Sequence, residues 1–126
     1  MADRKEDLFT QGIRAFNEGN YYDAHEFWED LWSDYYFSDR LYVQGLIQMS
    51  VGYYHITNQN LKGAKGLFNK CVPKLEKFQN NETRGLNLAD LIQSVRNSYD
   101  CVSRIEDTTQ FDWSLAPKIN RKVDDC

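Results

Sequence analysis

The sequence predicts an all-α protein, a bundle of about five helices, from three observations. Apolar residues recur with the 3.6-residue period of amphipathic helices along most of the chain, without the two-residue alternation of a strand. Stretches rich in Asn and Gly separate these segments, as expected for helical hairpins. A shift of 40 residues aligns Gly12 with Gly52 and Trp28 with Phe68, so helices one and two are repeated as helices three and four.

The first hairpin is predicted over residues 3–36. Its first helix has an apolar face and stops at the turn 17–20, where Gly19 suits a helix C-terminus. Its second helix begins at Tyr21 or Tyr22 and reaches about Tyr36.

The second hairpin is predicted over residues 40–79. Ser38 and Asp39 are N-cap candidates for a helix over residues 40–57. This helix is apolar on nearly every side and is therefore predicted to be the central, buried helix of the bundle. The next helix covers about residues 61–79, and Pro73 is expected to kink or split it. The turns, and the alanine at each expected helix crossing, look like tetratricopeptide hairpins, although that repeat is about 34 residues long.

The last part of the chain is predicted to be a capping helix over residues 87–107, with Asn87 as its N-cap, followed by a tail over residues 108–126. Pro117 prevents a continuous helix in the tail, which we expect to be extended. Its apolar anchors are Phe111, Trp113, Leu115 and Ile119. Residues 1–126 together are expected to form one domain.

The composition excludes several classes of function. The net charge is -4 and the basic residues are scattered, so neither nucleic acid nor an anionic membrane is expected as a partner. No stretch approaches the length and apolar character of a membrane span. The three cysteines show no metal-binding or disulfide spacing, which favours reduced thiols and a cytoplasmic location.

The candidate site begins with the run HEFWEDLW at residues 25–32, which places a histidine, three carboxylates and two tryptophans on about two helical turns. His25 and Glu29 lie on the edge of the apolar face of this helix. In the next helix Gln44, Gln48 and His55 share one narrow stripe. If the two stripes meet, they form a polar pocket inside an aromatic shell.

These motifs carry a family resemblance. HEFWEDLW at residues 25–32 and QGLIQ at residues 44–48, followed by His55, resemble the all-helical family called domain of unknown function 309, over about residues 8–76. The resemblance implies a helical fold and a shared centre rich in His and Glu. It implies no activity.

Two classes of function follow from the candidate site. The first is a binding or protein-interaction module whose His, Glu and Gln residues form a structural polar network. It is favoured because buried His and Glu pair with each other more often than with a metal. Its partner would be an unidentified protein, a small molecule or a second copy in a homodimer, and its ligand pocket would be lined by Trp28, Trp32, Gln44, Gln48 and Tyr54.

The alternative is a metal-dependent or small-molecule enzyme using His25, Glu26, Glu29 and His55. In the metal version, His25, Glu29 and His55 would hold a divalent transition metal, because imidazole and carboxylate groups suit such ions. The run has only one histidine and therefore lacks the zincin pattern of two. No serine or cysteine can be matched to a base from the sequence, so no nucleophile is expected.

Overall fold

The computed structural model describes residues 4–35, 38–80 and 83–121. Its helices are α1 (Arg4–Asn17), α2 (Tyr21–Asp34), α3 (Arg40–Thr57), α4 (Leu61–Glu76) and α5 (Leu88–Arg104). A short 3₁₀ turn at Thr83–Gly85 lies between α4 and α5, and two more follow α5 at Thr108–Gln110 and Trp113–Leu115. The described residues contain no strand beyond one bridge between Leu86 and Arg121. The all-α prediction of about five helices is confirmed. Within the described ranges, no helix is both long and apolar enough to cross a membrane.

Each helix packs against the next one along the chain, so that α3 lies between α2 and α4. Ser50 of α3 faces α2, since its hydroxyl donates to the carbonyl of Tyr21 at 2.5 Å. Gln48 of α3 faces α4, since its side-chain oxygen accepts from Lys74 at 3.0 Å. Packing between sequence neighbours is the arrangement expected of stacked helical hairpins.

Both hairpins use the same contact between a glycine and an aromatic ring. In the first hairpin a Cβ added at Gly12 would collide with the Trp28 indole, and in the second a Cβ added at Gly52 would collide with the Phe68 ring. These positions are the pairs aligned by the 40-residue shift. The absence of a side chain at each glycine lets the aromatic ring of the facing helix fill the crossing.

Local signals account for some of the helix ends. Gly19 ends the first hairpin's turn at φ +83°, which favours glycine. The Asn87 side chain caps α5 by accepting from the backbone N–H of Asp90. Asp39 precedes α3 without capping it through its side chain, because both carboxylate oxygens accept from the Arg84 guanidinium, at 2.7 and 3.0 Å. Helix α4 continues through Pro73 and is not split.

The two sides of α3 differ sharply. Its inner side carries fully buried side chains, and the Tyr53 ring there lies against rings from α1, α2, α4 and the tail. The Tyr53 hydroxyl pairs with Ser98 of α5 at 2.8 Å, and burial raises its pKa. The opposite side carries partly exposed residues, namely Gln44, Ile47, Gln48, Val51, Tyr54 and His55.

The tail crosses back from α5 to α1. Asn17 holds it by accepting from the backbone N–H of Ile119 at 2.6 Å and donating to the Ile119 carbonyl at 2.8 Å. Phe111 and Ile119 are buried, while Trp113 stacks on Tyr21 with ring centroids 5.9 Å apart. The tail therefore connects the last part of the bundle to the first.

Candidate functional site

His25 sits on α2 with both ring nitrogens near oxygen acceptors. Its Nδ1 lies 2.8 Å from the Tyr22 carbonyl and its Nε2 lies 3.2 Å from Glu29 Oε2. A carbonyl can only accept, so Nδ1 carries a proton, and both nitrogens donate at once only when the ring is cationic. The His25 side chain is 20% exposed and that of Glu29 is 55% exposed, so the pair is at the surface.

Two tyrosines connect the two histidines in a series of ring contacts. The Tyr22 ring lies 5.0 Å from the His25 ring and 5.3 Å from the Tyr54 ring, measured between centroids. The Tyr54 ring lies 6.2 Å from the ring of His55. His25 and His55 therefore share one side of the molecule, with tyrosine rings between them, and Tyr22 is 48% exposed there.

His55 lies at the C-terminal end of α3, beside the turn into α4. Its Nδ1 is 3.4 Å from the Asn60 side-chain nitrogen, and Asn60 also caps α4 by accepting from the backbone N–H of Gly63. Partial burial lowers the pKa of His55, because desolvation disfavours the charged ring.

The two glutamines lie on α3, apart from the His25–Glu29 pair. Gln48 is bound by Lys74 of α4, on the far side of α3 from α2. Gln44 is partly buried and lies nearly three helical turns before Tyr54. Within the described ranges, no hydrogen bond connects either glutamine to His25 or Glu29. The structure thus places Gln48 in contact with α4, and the His25–Glu29 pair on α2.

The two tryptophans have different environments. Trp28 is fully buried, and its indole N–H donates to the carbonyl of Phe9 at 3.2 Å, so it anchors α2 to α1. Trp32 is partly exposed and the Arg40 guanidinium lies 4.1 Å from its ring centroid. In the part of the chain that the structure describes, the buried Trp32 Nε1 and Arg40 Nε have no hydrogen-bond partner.

The candidate ligands for a metal are dispersed. Glu26 is exposed, and among the described residues no group of three His, Cys, Asp or Glu side chains could hold an ion. His25 and Glu29 are the two predicted ligands in contact. Burial raises the pKa of the Cys71 thiol to about 12, so this cysteine is a poor nucleophile at neutral pH.

We define the outer face as the exposed sides of α2 and α4 with the partly exposed side of α3 between them. Its α2 portion is acidic and contains no Lys or Arg, its exposed carboxylates being Asp23, Glu26, Glu29, Asp30 and Asp34. Its α4 portion is basic, with exposed lysines at Lys62, Lys70 and, just after the helix, Lys77. Charge on the outer face therefore changes sign across α3.

Gly66 lies in the middle of α4 on the outer face. A Cβ added there would meet no atom within 4 Å. A glycine inside a helix destabilises it by roughly 0.5–1 kcal/mol relative to alanine. Neither a tight crossing nor a positive φ explains this glycine, unlike Gly12 or Gly19.

Sequence reasoning missed three of these features. Tyr22 appeared only as a helix start, Asn17 only as a turn residue, and Gly66 not at all. A helical projection of α4 places Gly66 between Lys62 and Lys70 and could have singled it out. Asn17 had no such signal, because its partner Ile119 is 102 residues away.

A cavity of about 170 Å³ lies away from these residues, between the start of α5 and the tail. Apolar side chains line it together with Asp90, Ser94 and Lys118. None of the predicted site residues lines this cavity, so it offers the candidate site no enclosed volume.

Fold and surface together define a small all-helical domain of two stacked hairpins with a partly exposed surface of His, Glu and Tyr residues. Residues 9–67, which carry both sequence motifs, match the family model described as Domain of unknown function (DUF309). The family resemblance is thus confirmed over that segment. No curated protein matches the chain.

Proposed function

We propose that this protein is a protein-interaction module that docks its partner on the outer face. The observation that carries the proposal is the series of rings from His25 through Tyr22 and Tyr54 to His55. These side chains are at least partly exposed, and the α2 end of the series is bordered by carboxylates, with Glu29 in contact with His25. Clusters of aromatic side chains with a charged border are typical of protein interfaces.

The chain offers a matched pair of positions for testing this proposal. Tyr22 on the outer face and Trp113 on the tail are both large and similarly exposed, at 48% and 42%. A photo-crosslinking phenylalanine derivative placed at each position reports contacts within a few ångströms of that side chain. We expect a discrete protein adduct in cells from position 22 and little from position 113.

Two further variants test the role of the outer face. Glu26→Lys with Asp30→Lys reverses charge beside Tyr22 while leaving every ring in place, and it should abolish the adduct at position 22. Equal adducts at positions 22 and 113, or an adduct that survives the charge reversal, would contradict the proposal.

A second candidate function is a small-molecule or metal-dependent activity centred on His25. The supporting observation is that Nδ1 is held by the Tyr22 carbonyl, which orients Nε2 toward Glu29. Elemental analysis of untagged protein, with thermal unfolding in the presence of added divalent metals, tests the metal version. A near-stoichiometric metal that is lost in His25→Ala would support it, whereas absence of both metal and thermal shift would refute it.

A further inference from the structure

Building on the proposed docking function of the outer face, we propose that its partner is a second copy of this chain. The dimer has two-fold symmetry, and α2 of each subunit lies on α4 of the other. The partly exposed sides of the two α3 helices meet at the centre.

The charge distribution fits this arrangement. The five exposed carboxylates of α2 lie on one side of α3, and the exposed lysines of α4 and its C-terminal end lie on the other. In a two-fold symmetric interface the same patch occurs on both subunits, so the patch must complement itself. A surface whose charge reverses across its midline meets this requirement, because each acidic half faces a basic half.

The order of the helices allows α2 of each subunit to lie on α4 of the other. Helices α2 and α4 occupy equivalent places in the two hairpins and flank α3. A two-fold axis parallel to α3, lying between the subunits, therefore brings α2 over α4 twice. Under the 40-residue repeat Asp30 corresponds to Lys70, so opposite charges stand at equivalent outward positions.

The size of the outer face is adequate. Three helices with neighbouring axes roughly 9 Å apart, each about 21–27 Å long at a rise of about 1.5 Å per residue, present roughly 700 Å². A standard interface buries about 800 Å² on each partner. Partly exposed Ile47, Val51 and Tyr54 provide apolar area at the centre of this face, between the charged rows.

Small residues on the exposed side of α4 would allow another helix to approach closely. Gly66 and Pro73 lie two turns apart on its exposed side, and both project little from the helix. The open space at Gly66 has no occupant in its own subunit. A partner helix docked at this position accounts for a glycine that the subunit's own packing does not require.

The experiment is sedimentation velocity of the full chain, over a concentration series, at about 50 mM and about 500 mM salt. One variant reverses α2 (Asp23→Lys, Glu26→Lys and Asp30→Lys), a second reverses α4 (Lys62→Glu, Lys70→Glu and Lys77→Glu), and a third combines all six changes. A control reverses Asp100 and Glu106, which are exposed elsewhere. Circular dichroism verifies that each variant is folded.

We expect the wild type and the control to dimerise, more tightly at low salt. Each triple variant should dissociate about tenfold more readily or worse, because its like-charged halves face each other. An equimolar mixture of the two triple variants should form a heterodimer, and the six-substitution chain should dimerise again. Restored association in these two samples would not follow from a general loss of folding.

The dimer proposal is overturned if the wild type is monomeric at every concentration and salt, or if the triple variants dimerise like the wild type. This failure is distinguishable from failure of the docking function. A monomeric wild type whose position 22 still cross-links to another protein retains the docking function and excludes the second copy as partner.

Discussion

The inner and outer sides of α3 show how one helix serves two purposes. On the inner side Tyr42, Met49 and Tyr53 are fully buried, and neighbouring aromatic rings fill the space around them. On the outer side Tyr54 and His55 are partly exposed, with charged rows on either flank. The difference indicates that stability resides largely on the inner side, and that the outer residues are available for binding.

The largest expected effect comes from comparing a buried and an exposed aromatic residue of α2, which tests whether stability resides on the buried side. Trp28→Ala should lower the free energy of unfolding by about 3–5 kcal/mol, because it leaves a cavity and removes the hydrogen bond to Phe9. Tyr22→Ala, on the outer face, should change it by only about 0.5 kcal/mol. Urea unfolding followed by circular dichroism measures both, and similar losses for the two variants would refute the division.

Two glycines provide the next test. Gly12→Ala should destabilise by about 1–3 kcal/mol, since the added methyl group collides with Trp28. Gly66→Ala should stabilise the subunit by roughly 0.5–1 kcal/mol, because the site is open and alanine favours the helix. Unfolding of both variants at low protein concentration measures the subunit alone. A destabilising Gly66→Ala would show that the subunit itself needs this glycine.

The hydrogen bonds that hold the tail at Asn17 should contribute less to the free energy of unfolding than the buried core does. Asn17→Ala removes both hydrogen bonds to Ile119 and should cost about 1–2 kcal/mol. Hydrogen exchange should accelerate in residues 117–121 and leave α3 protected. Asn69→Ala, at an exposed position of α4, is the control. Unchanged exchange in the tail would show that its buried apolar anchors hold it without Asn17.

The smallest expected effect is a pH dependence from His55. Its pKa in the folded protein is lowered from the ordinary value of 6.5, so the unfolded chain binds the proton more readily. The free energy of unfolding should therefore fall as the pH drops from 6.5 through the folded pKa, and level off below it. Comparing wild type with His55→Gln at pH values on both sides of this window isolates the contribution. Identical pH profiles for the two proteins would contradict it.

The fold was largely predictable from the sequence because its causes are local. Helix periodicity and the Asn and Gly turns gave α3 its observed ends at Arg40 and Thr57, and Asn87 caps α5 as expected. Pro73 was predicted to kink or split α4, and the split is contradicted, since the helix continues through it. A proline on the exposed side of a helix loses one backbone hydrogen bond, which neighbouring turns can tolerate when packing holds the helix.

The candidate site was less predictable, because it depends on which faces of neighbouring helices contact each other. Periodicity placed His25 and Glu29 on one edge of α2, and the structure shows them in contact. Periodicity could not show that Gln48 accepts a hydrogen bond from Lys74 of α4. Nor could it show that the rings of Tyr22 and Tyr54 lie between the two histidines. Such choices depend on helix crossing angles and on distant partners. Neither can be read from one helix.

The contact between Asn17 and Ile119 also bears on how the chain folds during synthesis. Stacked hairpins ordinarily need only their neighbours, so they can be completed one after another as the chain emerges. Here Asn17, in the last turn of α1, has a hydrogen-bond partner, Ile119, that lies 102 residues downstream. The first hairpin therefore acquires these contacts only after the chain as far as Ile119 has left the ribosome, which makes a linear stack into a closed and more cooperative unit.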